Sequence, residues 1–193
     1  MNRLRFFIAL VFSVLVMSSA YADADYSNAI KVFKDSPVVQ PYFNNAYGYA
    51  VFPTIGKGGV GIGGAHGSGQ VYVGDKVTGK TSMTQLTIGW QLGGQAYSQI
   101  IFFEDKRAYQ EFTSGNFEFG AQASAVAITA GAQAQAGTTG AAASASPGGS
   151  AGKQAATKYQ KGMAVFTRAK GGLMYEAAIG GQKFSFEPIG KKK

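Results

Sequence analysis

Cysteine is absent from the sequence, and its absence excludes several kinds of protein. Disulfide scaffolds, thiolate metal sites and cysteine nucleophiles all need this side chain, as does the lipid anchor of bacterial lipoproteins. Histidine is scarce too, because His66 is the single one and lies among glycines. The sequence therefore lacks most of the side chains that a zinc site needs, and it offers one histidine for a Ser-His-Asp triad. We expect no metal site, no cofactor and no enzymatic activity.

Long apolar runs are also scarce, and the one at the N-terminus has the plan of a signal peptide. Arg3 and Arg5 precede an apolar run from Phe6 to Met17, and an Ala-Tyr-Ala sequence ending at Ala22 supplies a signal-peptidase site. The run is shorter than the roughly 20 residues that a membrane-spanning helix needs. We therefore expect residues 1–22 to be cleaved. Residues 23–193 would form one exported domain in the periplasm, either free or peripheral to the inner or outer membrane.

Negative charge is scarce towards the C-terminus. Without Arg3 and Arg5 the chain has 16 basic and 10 acidic residues, a net charge of +6. From Lys153 onward there are 9 basic and 2 acidic residues, so the excess of positive charge lies in the last 41 residues. This asymmetry favours an anionic surface as the partner. The basic residues of this region, our candidate lipid-binding residues, are Lys153, Lys158, Lys161, Arg168, Lys170, Lys183, Lys191, Lys192 and Lys193.

Two short helices are predicted. Apolar side chains at positions 26, 29, 30 and 33 have helical spacing, and Pro37 follows them. The narrow stripe favours packing on the domain, and the alternative is a helix on a membrane with Lys31 and Lys34 towards the headgroups. A second helical pattern runs from Glu104 to Thr113.

From Tyr47 onward the residue pattern is typical of strands, with short runs of Val, Ile, Tyr, Phe and Thr between glycines. Glycine-rich strands bend tightly and let backbones approach closely, as a small barrel or a coiled sheet requires. We expect a mainly β (α+β) fold, a compact and mostly antiparallel barrel-like domain with two or three short helices. The predicted strands are Tyr47–Pro53, Gly58–Ala65, Gln70–Val73, Ser82–Trp90, Gly94–Phe103, Phe117–Thr129, Met163–Ala169 and Leu173–Phe186.

Residues 137–157 are of low complexity and have almost no large side chains. They cannot bury enough surface to offset the entropy of ordering, so a flexible loop is predicted. Residues 122–136 alternate alanine with Gln, Ser, Val or Thr, which fits a strand or an Ala-rich helix, and we favour a strand to about Ala130. Residues 190–193 form a basic tail.

Two glycine motifs resemble nucleotide sites but lack the required context. Gly74–Thr81 matches G-x-x-x-x-G-K-[ST], yet the residues after it are typical of a strand rather than of the helix that a P-loop needs. Gly59–Gly64 contains G-x-G-x-x-G, and there too a strand follows, while Asp75 comes too soon for a ribose ligand. We interpret the first motif as a hairpin loop and the second as a strand. No nucleotide or nucleic acid is expected as a partner.

Five short motifs occur in a fixed order along the chain. They are YGYAVFP at Tyr47–Pro53, GKGG at Gly56–Gly59, IGWQLGGQ at Ile88–Gln95, GAQAS at Gly120–Ser124 and GLMYEAAIGG at Gly172–Gly181. In this order the chain resembles the SYLF domain family over nearly all of residues 23–193.

The resemblance implies a barrel-like β domain that binds anionic phospholipids. Eukaryotic relatives bind phosphoinositides, and some bind or bundle actin. Neither ligand is expected in a periplasm, so only contact with anionic lipid is carried over. A basic amphipathic N-terminal segment is associated with lipid binding in those relatives, and Lys31 and Lys34 are its counterparts in this sequence.

The main hypothesis is a non-enzymatic exported protein that contacts an anionic phospholipid membrane through its basic C-terminal region. One alternative is a small-molecule or acyl-chain carrier with a pocket inside the barrel. A second is an eight-stranded outer-membrane barrel, although the chain ends in lysines rather than in an aromatic-ended strand. A third is a structural envelope protein whose protein partners are unknown.

Overall fold

The computed structural model describes residues 25–89, 95–121, 123, 125–128, 159–170 and 179–190. The predicted signal peptide, the predicted loop at 137–157 and the tail beyond Gly190 lie outside these residues.

Within the described residues, seven strands form one sheet in the order β4-β7-β2-β1-β3-β6-β5, and the sheet is curled into a half-barrel. Neighbouring strands are antiparallel except for β5 and β6, which are parallel. The mainly antiparallel, barrel-like fold predicted from the sequence is confirmed. The strands are β1 Gly48–Val73, β2 Lys76–Gly89, β3 Gln95–Phe103, β4 Phe117–Glu118, β5 Val126–Ala127, β6 Met163–Lys170 and β7 Lys183–Pro188.

Strand β1 replaces three separate predicted strands. Its 26 residues pair with β3 through positions 48–57 and with β2 through positions 61–73. The glycines between the predicted strands bend the strand without ending it. A Cβ added to Gly69 would lie 2.8 Å from the carbonyl oxygen of Val51, and one added to Gly67 would lie 2.8 Å from that of Thr54. The two halves of β1 therefore approach at distances that only glycine permits, which curls the sheet.

The turn between β1 and β2 consists of two residues, Gly74 and Asp75. Gly74 has a φ of 58°, the left-handed conformation that glycine supplies at the first central position of a type II′ hairpin turn. The P-loop-like motif thus begins with a hairpin turn, as predicted, and its other residues, Lys76–Thr81, belong to strand β2 rather than to a helix. The G-x-G-x-x-G motif lies within β1, which confirms its interpretation as a strand.

The concave face of the half-barrel contains the larger apolar core. Helix α3, Lys106–Phe112, lies in the segment predicted as helical, and Ala108 and Phe112 are its buried residues. The Asp105 side chain caps the helix by accepting a hydrogen bond of 2.8 Å from the backbone N–H of Ala108. The aromatic rings of Phe112 and Phe184 lie 5.0 Å apart inside the sheet. The other large buried side chains of this core include Phe52, Ile55, Met83, Ile101 and Phe103.

Among the described residues, two helices cover the part of the convex face that is formed by β1, β3 and β6. Helix α1, residues 25–34, confirms the predicted N-terminal helix and buries Phe33 and Ala29. Helix α2, Gln40–Asn45, was not predicted, because its six residues contain a proline in the first turn and no apolar period. Under them lies a second buried cluster that includes Val51, Tyr72, Ile100, Phe102 and Phe166.

Two predicted strands are wrong. Phe117–Thr129 is not one strand, because β4 pairs with β7 at one edge of the sheet and β5 pairs with β6 at the other, so the chain crosses between edges. Leu173–Phe186 is interrupted by a turn, in which the Gln182 N–H donates to the Ile179 carbonyl at 3.1 Å and Gly181 has a φ of 75°. Residues 173–178 are outside the described part of the chain.

Candidate functional site

The structure describes six of the predicted basic site residues. Lys153, Lys158, Lys191, Lys192 and Lys193 lie outside the described residues. Lys161 precedes β6, Arg168 and Lys170 lie near the end of β6, and Lys183 begins β7. Lys31 and Lys34 lie on α1 and are exposed.

The cations of β6 lie on the face of the sheet that carries α1. Phe166 belongs to the convex cluster, and Arg168 and Lys170 follow it at intervals of two residues, so all three side chains leave the same face. The Lys170 ammonium donates a hydrogen bond of 2.6 Å to the Thr54 hydroxyl and lies 4.0 Å from the carboxylate of Asp25 in α1. Cations from the C-terminal region and from α1 are therefore on one face.

Lys183 lies elsewhere. Strands β7 and β6 are separated by three strands in the sheet order, and the Lys183 ammonium pairs with the Glu118 carboxylate at 3.5 Å. In the described residues the predicted C-terminal cations therefore do not form one patch. Arg168 and Lys170 lie beside the part of the convex face that carries α1, whereas Lys183 lies on β7, three strands away, and is partly neutralised.

Helix α1 and strand β1 border an open groove of about 420 Å³. Its lining includes the rings of Tyr49 and Tyr72, which stack at 4.9 Å between centroids and 13° between planes. The burial of Phe33 holds α1 against the sheet, and burying a side chain of this size contributes roughly 1.5–3 kcal/mol. Because the burial of Phe33 fixes the position of α1, Lys31 and Lys34 line the groove.

The charges around the groove are of both signs. Besides the two lysines, Asp35 at the end of α1 and Asp75 in the β1–β2 turn line it. None of these four side chains forms an ion pair within the described part of the chain. The Lys34 ammonium lies 5.3 Å from the centroid of the Phe43 ring, a cation–π distance.

The pKa of the Tyr49 hydroxyl is shifted by its surroundings in the groove. Its half-buried position, followed by the neighbouring Tyr72 and the charge of Asp75, raises the pKa of its hydroxyl to about 12. The Tyr49 hydroxyl is therefore protonated at physiological pH, and the Asp75 carboxylate is the smallest of the three causes of its raised pKa. The β1 side of the groove thus carries the tyrosines and Asp75, and the α1 side carries Lys31 and Lys34 with the carboxylate of Asp35 beside them.

A second polar arrangement lies inside the half-barrel and was not predicted. The amides of Gln99 and Gln182 are fully buried and hydrogen-bond each other reciprocally, at 2.9 and 3.1 Å. The Gln182 Nε2 also donates to the Tyr97 hydroxyl at 3.2 Å, and burial raises the pKa of Tyr97 to about 12. The sequence signal was a glutamine alternating with Tyr97 and Ile101 on the inward side of an otherwise apolar strand.

The described residues offer no cluster of three or more metal-ligating side chains. The only histidine, His66, is exposed, and its Nδ1 lies 3.4 Å from the Thr84 hydroxyl. Among the helices that the structure describes, none combines the length and the apolar character needed to cross a bilayer. Inside the half-barrel the described aromatic rings pack against one another, and the ring centroids of Phe52 and Phe184, for example, lie 5.7 Å apart.

Fold and groove together define a half-barrel β domain whose helical face carries cations and an aromatic groove. The family model described as "Ysc84: Las17-binding protein actin regulator" matches residues 84–187, slightly more than half of the 193 residues. The chain belongs to this family, the Ysc84 (SYLF) domain family, which confirms the resemblance found in the order of its motifs. Membership in the family suggests lipid binding in general.

A curated relative is "Beta cell expansion factor A" of Aeromonas veronii. The two sequences are 29% identical over 160 residues, which cover 80% of this chain and 51% of the relative. The chain thus spans about half the length of the curated relative that it matches.

Proposed function

We propose that the protein is a non-enzymatic, exported lipid-binding protein that contacts anionic phospholipid surfaces through basic side chains. The contact surface is the convex face that carries α1. It unites Arg168 and Lys170, from the basic C-terminal region, with Lys31 and Lys34. We call these four side chains the basic face.

The observation that carries this proposal is the contact of Lys170 with Thr54 and Asp25. It joins the end of β6 to the start of α1, although these residues are far apart in the sequence. A helix of ten residues is about 15 Å long, so the four cations of the basic face lie along one short surface. Arg168, Lys31 and Lys34 form no ion pair with another described residue and are available to headgroups.

The strength of such a contact follows from the number of cations. A lysine or arginine near an anionic surface contributes about 1 kcal/mol, so the three unpaired cations, Arg168, Lys31 and Lys34, contribute about 3 kcal/mol. That corresponds to a dissociation constant on the order of 10 mM, before any contribution from basic residues outside the described part. Binding of this kind is reversible and is weakened by salt, because the Debye length shortens as ionic strength rises.

Flotation of the protein, without residues 1–22, on vesicles tests the proposal. Vesicles of phosphatidylcholine alone are compared with vesicles that also contain phosphatidylglycerol, each at low and high salt. We expect flotation with the anionic vesicles at low salt and its loss at high salt. Binding that is independent of both lipid charge and salt, or no binding to either vesicle, would contradict the proposed mechanism.

A further inference from the structure

The groove between α1 and β1 carries charges that the basic face does not explain. A surface that only attracts anionic lipid has no use for carboxylates, yet Asp35 and Asp75 line this groove together with Lys31 and Lys34. An isolated phosphate would be repelled by the two carboxylates, and an isolated amine by the two lysines. A ligand with both charges, a short distance apart, satisfies both sides of the groove.

We propose that this groove binds a single phospholipid headgroup that carries both a phosphate and an ammonium group. The inference rests on the proposed lipid contact and names the headgroup chemistry of one part of the same surface. Lys31 and Lys34 contact the phosphate. The half-buried ring of Tyr49, which stacks on the buried Tyr72, and the carboxylate of Asp75 receive the ammonium.

Helical spacing places Lys31 and Lys34 next to each other on the cationic side of the groove. Lys31 and Lys34 are three residues apart, so they are neighbours on the surface of α1, with Cβ atoms about 5–6 Å apart. Both are exposed, and within the described residues neither is neutralised by a carboxylate. Two adjacent ammonium groups can contact different oxygens of one phosphate.

The ammonium side is built by the curl of β1. Tyr49 and Tyr72 lie near opposite ends of one strand, and the close approach of its halves at Gly48 and Gly69 stacks their rings. Ring faces attract ammonium groups, and the attraction is larger where water is partly excluded. No described residue hydrogen-bonds the Tyr49 hydroxyl, which leaves it able to contact the ligand.

The size of the groove fits a headgroup. Its volume of about 420 Å³ lies in the range of roughly 300–1,000 Å³ that is typical of small-molecule pockets. It is open to solvent, so a headgroup can enter it while the acyl chains stay in a membrane beside the basic face.

The test uses a soluble headgroup, which separates this inference from membrane binding. Glycerophosphoethanolamine is titrated into the ¹⁵N-labelled protein and compared with inorganic phosphate and with ethanolamine. We expect chemical shift changes at residues of the groove that are larger with glycerophosphoethanolamine than with either half-ligand. Equal responses to phosphate and to glycerophosphoethanolamine, or changes confined to residues outside the groove, would overturn the inference.

Matched variants identify the two sides of the site. Lys34→Gln removes a phosphate contact, and Asp75→Asn removes the carboxylate while keeping a residue that hairpin turns accept. Since each is a partly exposed charge contact, we expect each to weaken binding by about two- to fivefold. Lys80→Gln and Glu187→Gln, which face each other across β2 and β7, are the controls and leave binding unchanged. Unchanged binding by Asp75→Asn contradicts a zwitterionic ligand.

A vesicle experiment distinguishes a lipid headgroup from a soluble compound of the same chemistry. Phosphatidylglycerol vesicles are compared with vesicles in which phosphatidylethanolamine is added at constant phosphatidylglycerol content. We expect the addition to increase binding of the unaltered protein but not of Asp75→Asn. If phosphatidylethanolamine has no effect while the soluble headgroup binds, the lipid source is wrong. If the protein does not bind anionic vesicles, the basic face is contradicted. The titration with glycerophosphoethanolamine then still decides whether the groove binds a headgroup.

Discussion

At the scale of single residues, the reciprocal amide pair of Gln99 and Gln182 is the main polar feature of an apolar interior. A buried amide without a partner costs free energy, whereas two amides that satisfy each other can be accommodated. Gln99 lies on β3, and Gln182 lies just before β7, which is three places away in the sheet order. The pair thus connects parts of the sheet that are not neighbours and specifies how the half-barrel closes.

Substitution of this pair should be strongly non-additive. Gln182→Met keeps the size of the side chain but leaves the Gln99 amide buried without its partner, which we expect to lower the free energy of unfolding by about 1–3 kcal/mol. The double variant Gln99→Met/Gln182→Met removes both amides, so its loss should be smaller than the sum of the two single losses. Urea unfolding measures all three. The exposed Gln110→Met is the control, and additive losses would show that the two amides do not act as a pair.

At the scale of elements, β1 organises the molecule because it contributes to both halves of the sheet. The sequence predicted its strand character, its hairpin turn and the helices α1 and α3, since these depend on local patterns of glycine and apolar residues. It did not predict that three strand segments are one strand. Whether a glycine ends a strand or bends it depends on what the backbone meets, and Gly69 meets residues that precede it by 17 positions or more.

The same limit applies to the site. The helical pattern placed Lys31 and Lys34 on α1, but nothing local brings Tyr49 beside Tyr72 or Asp75 to the groove. The division of the predicted strand Phe117–Thr129 into the short strands β4 and β5 was not predicted for a related reason. Their two-residue pairings depend on the sheet edges that they reach rather than on their own residues.

The close approach within β1 predicts different outcomes for two glycine substitutions. In Gly69→Ala the added Cβ would lie 2.7 Å from ring carbons of Phe52 and 2.8 Å from the Val51 carbonyl oxygen. Because this overpacks the core, we expect a loss of about 1–3 kcal/mol in the free energy of unfolding. Gly56→Ala is the matched control in the same strand, since nothing lies within 4 Å of its added Cβ. Urea unfolding compares the two, and equal stability of both variants would contradict the role of Gly69.

At the scale of the whole molecule, the two faces of the sheet have different surroundings. The concave face encloses the aromatic core and the glutamine pair. The convex face is buried under α1 and α2 along β1, β3 and β6, whereas along β2 and β7 it exposes polar residues such as Ser82 and Ser185, whose hydroxyls lie 2.7 Å apart. The edges of the described sheet are the two-residue strands β4 and β5, which limit pairing with other chains. The helical part of the convex face therefore combines cations, exposed helix and groove, which distinguishes it from the rest of the described surface.

This arrangement predicts that the position of positive charge, rather than its total, determines membrane binding. The triple variant Lys31→Gln/Lys34→Gln/Arg168→Gln removes three charges from the basic face, and at about 1 kcal/mol per charge it should abolish flotation with anionic vesicles at low salt. The matched variant Lys80→Gln/Lys106→Gln/Lys183→Gln removes three exposed charges from β2, α3 and β7 and so has the same net charge. We expect it to float nearly as well as the unaltered protein, because its basic face is intact. Equal losses in the two triple variants would show instead that attraction depends on net charge alone, and that the chain has no preferred orientation on the membrane.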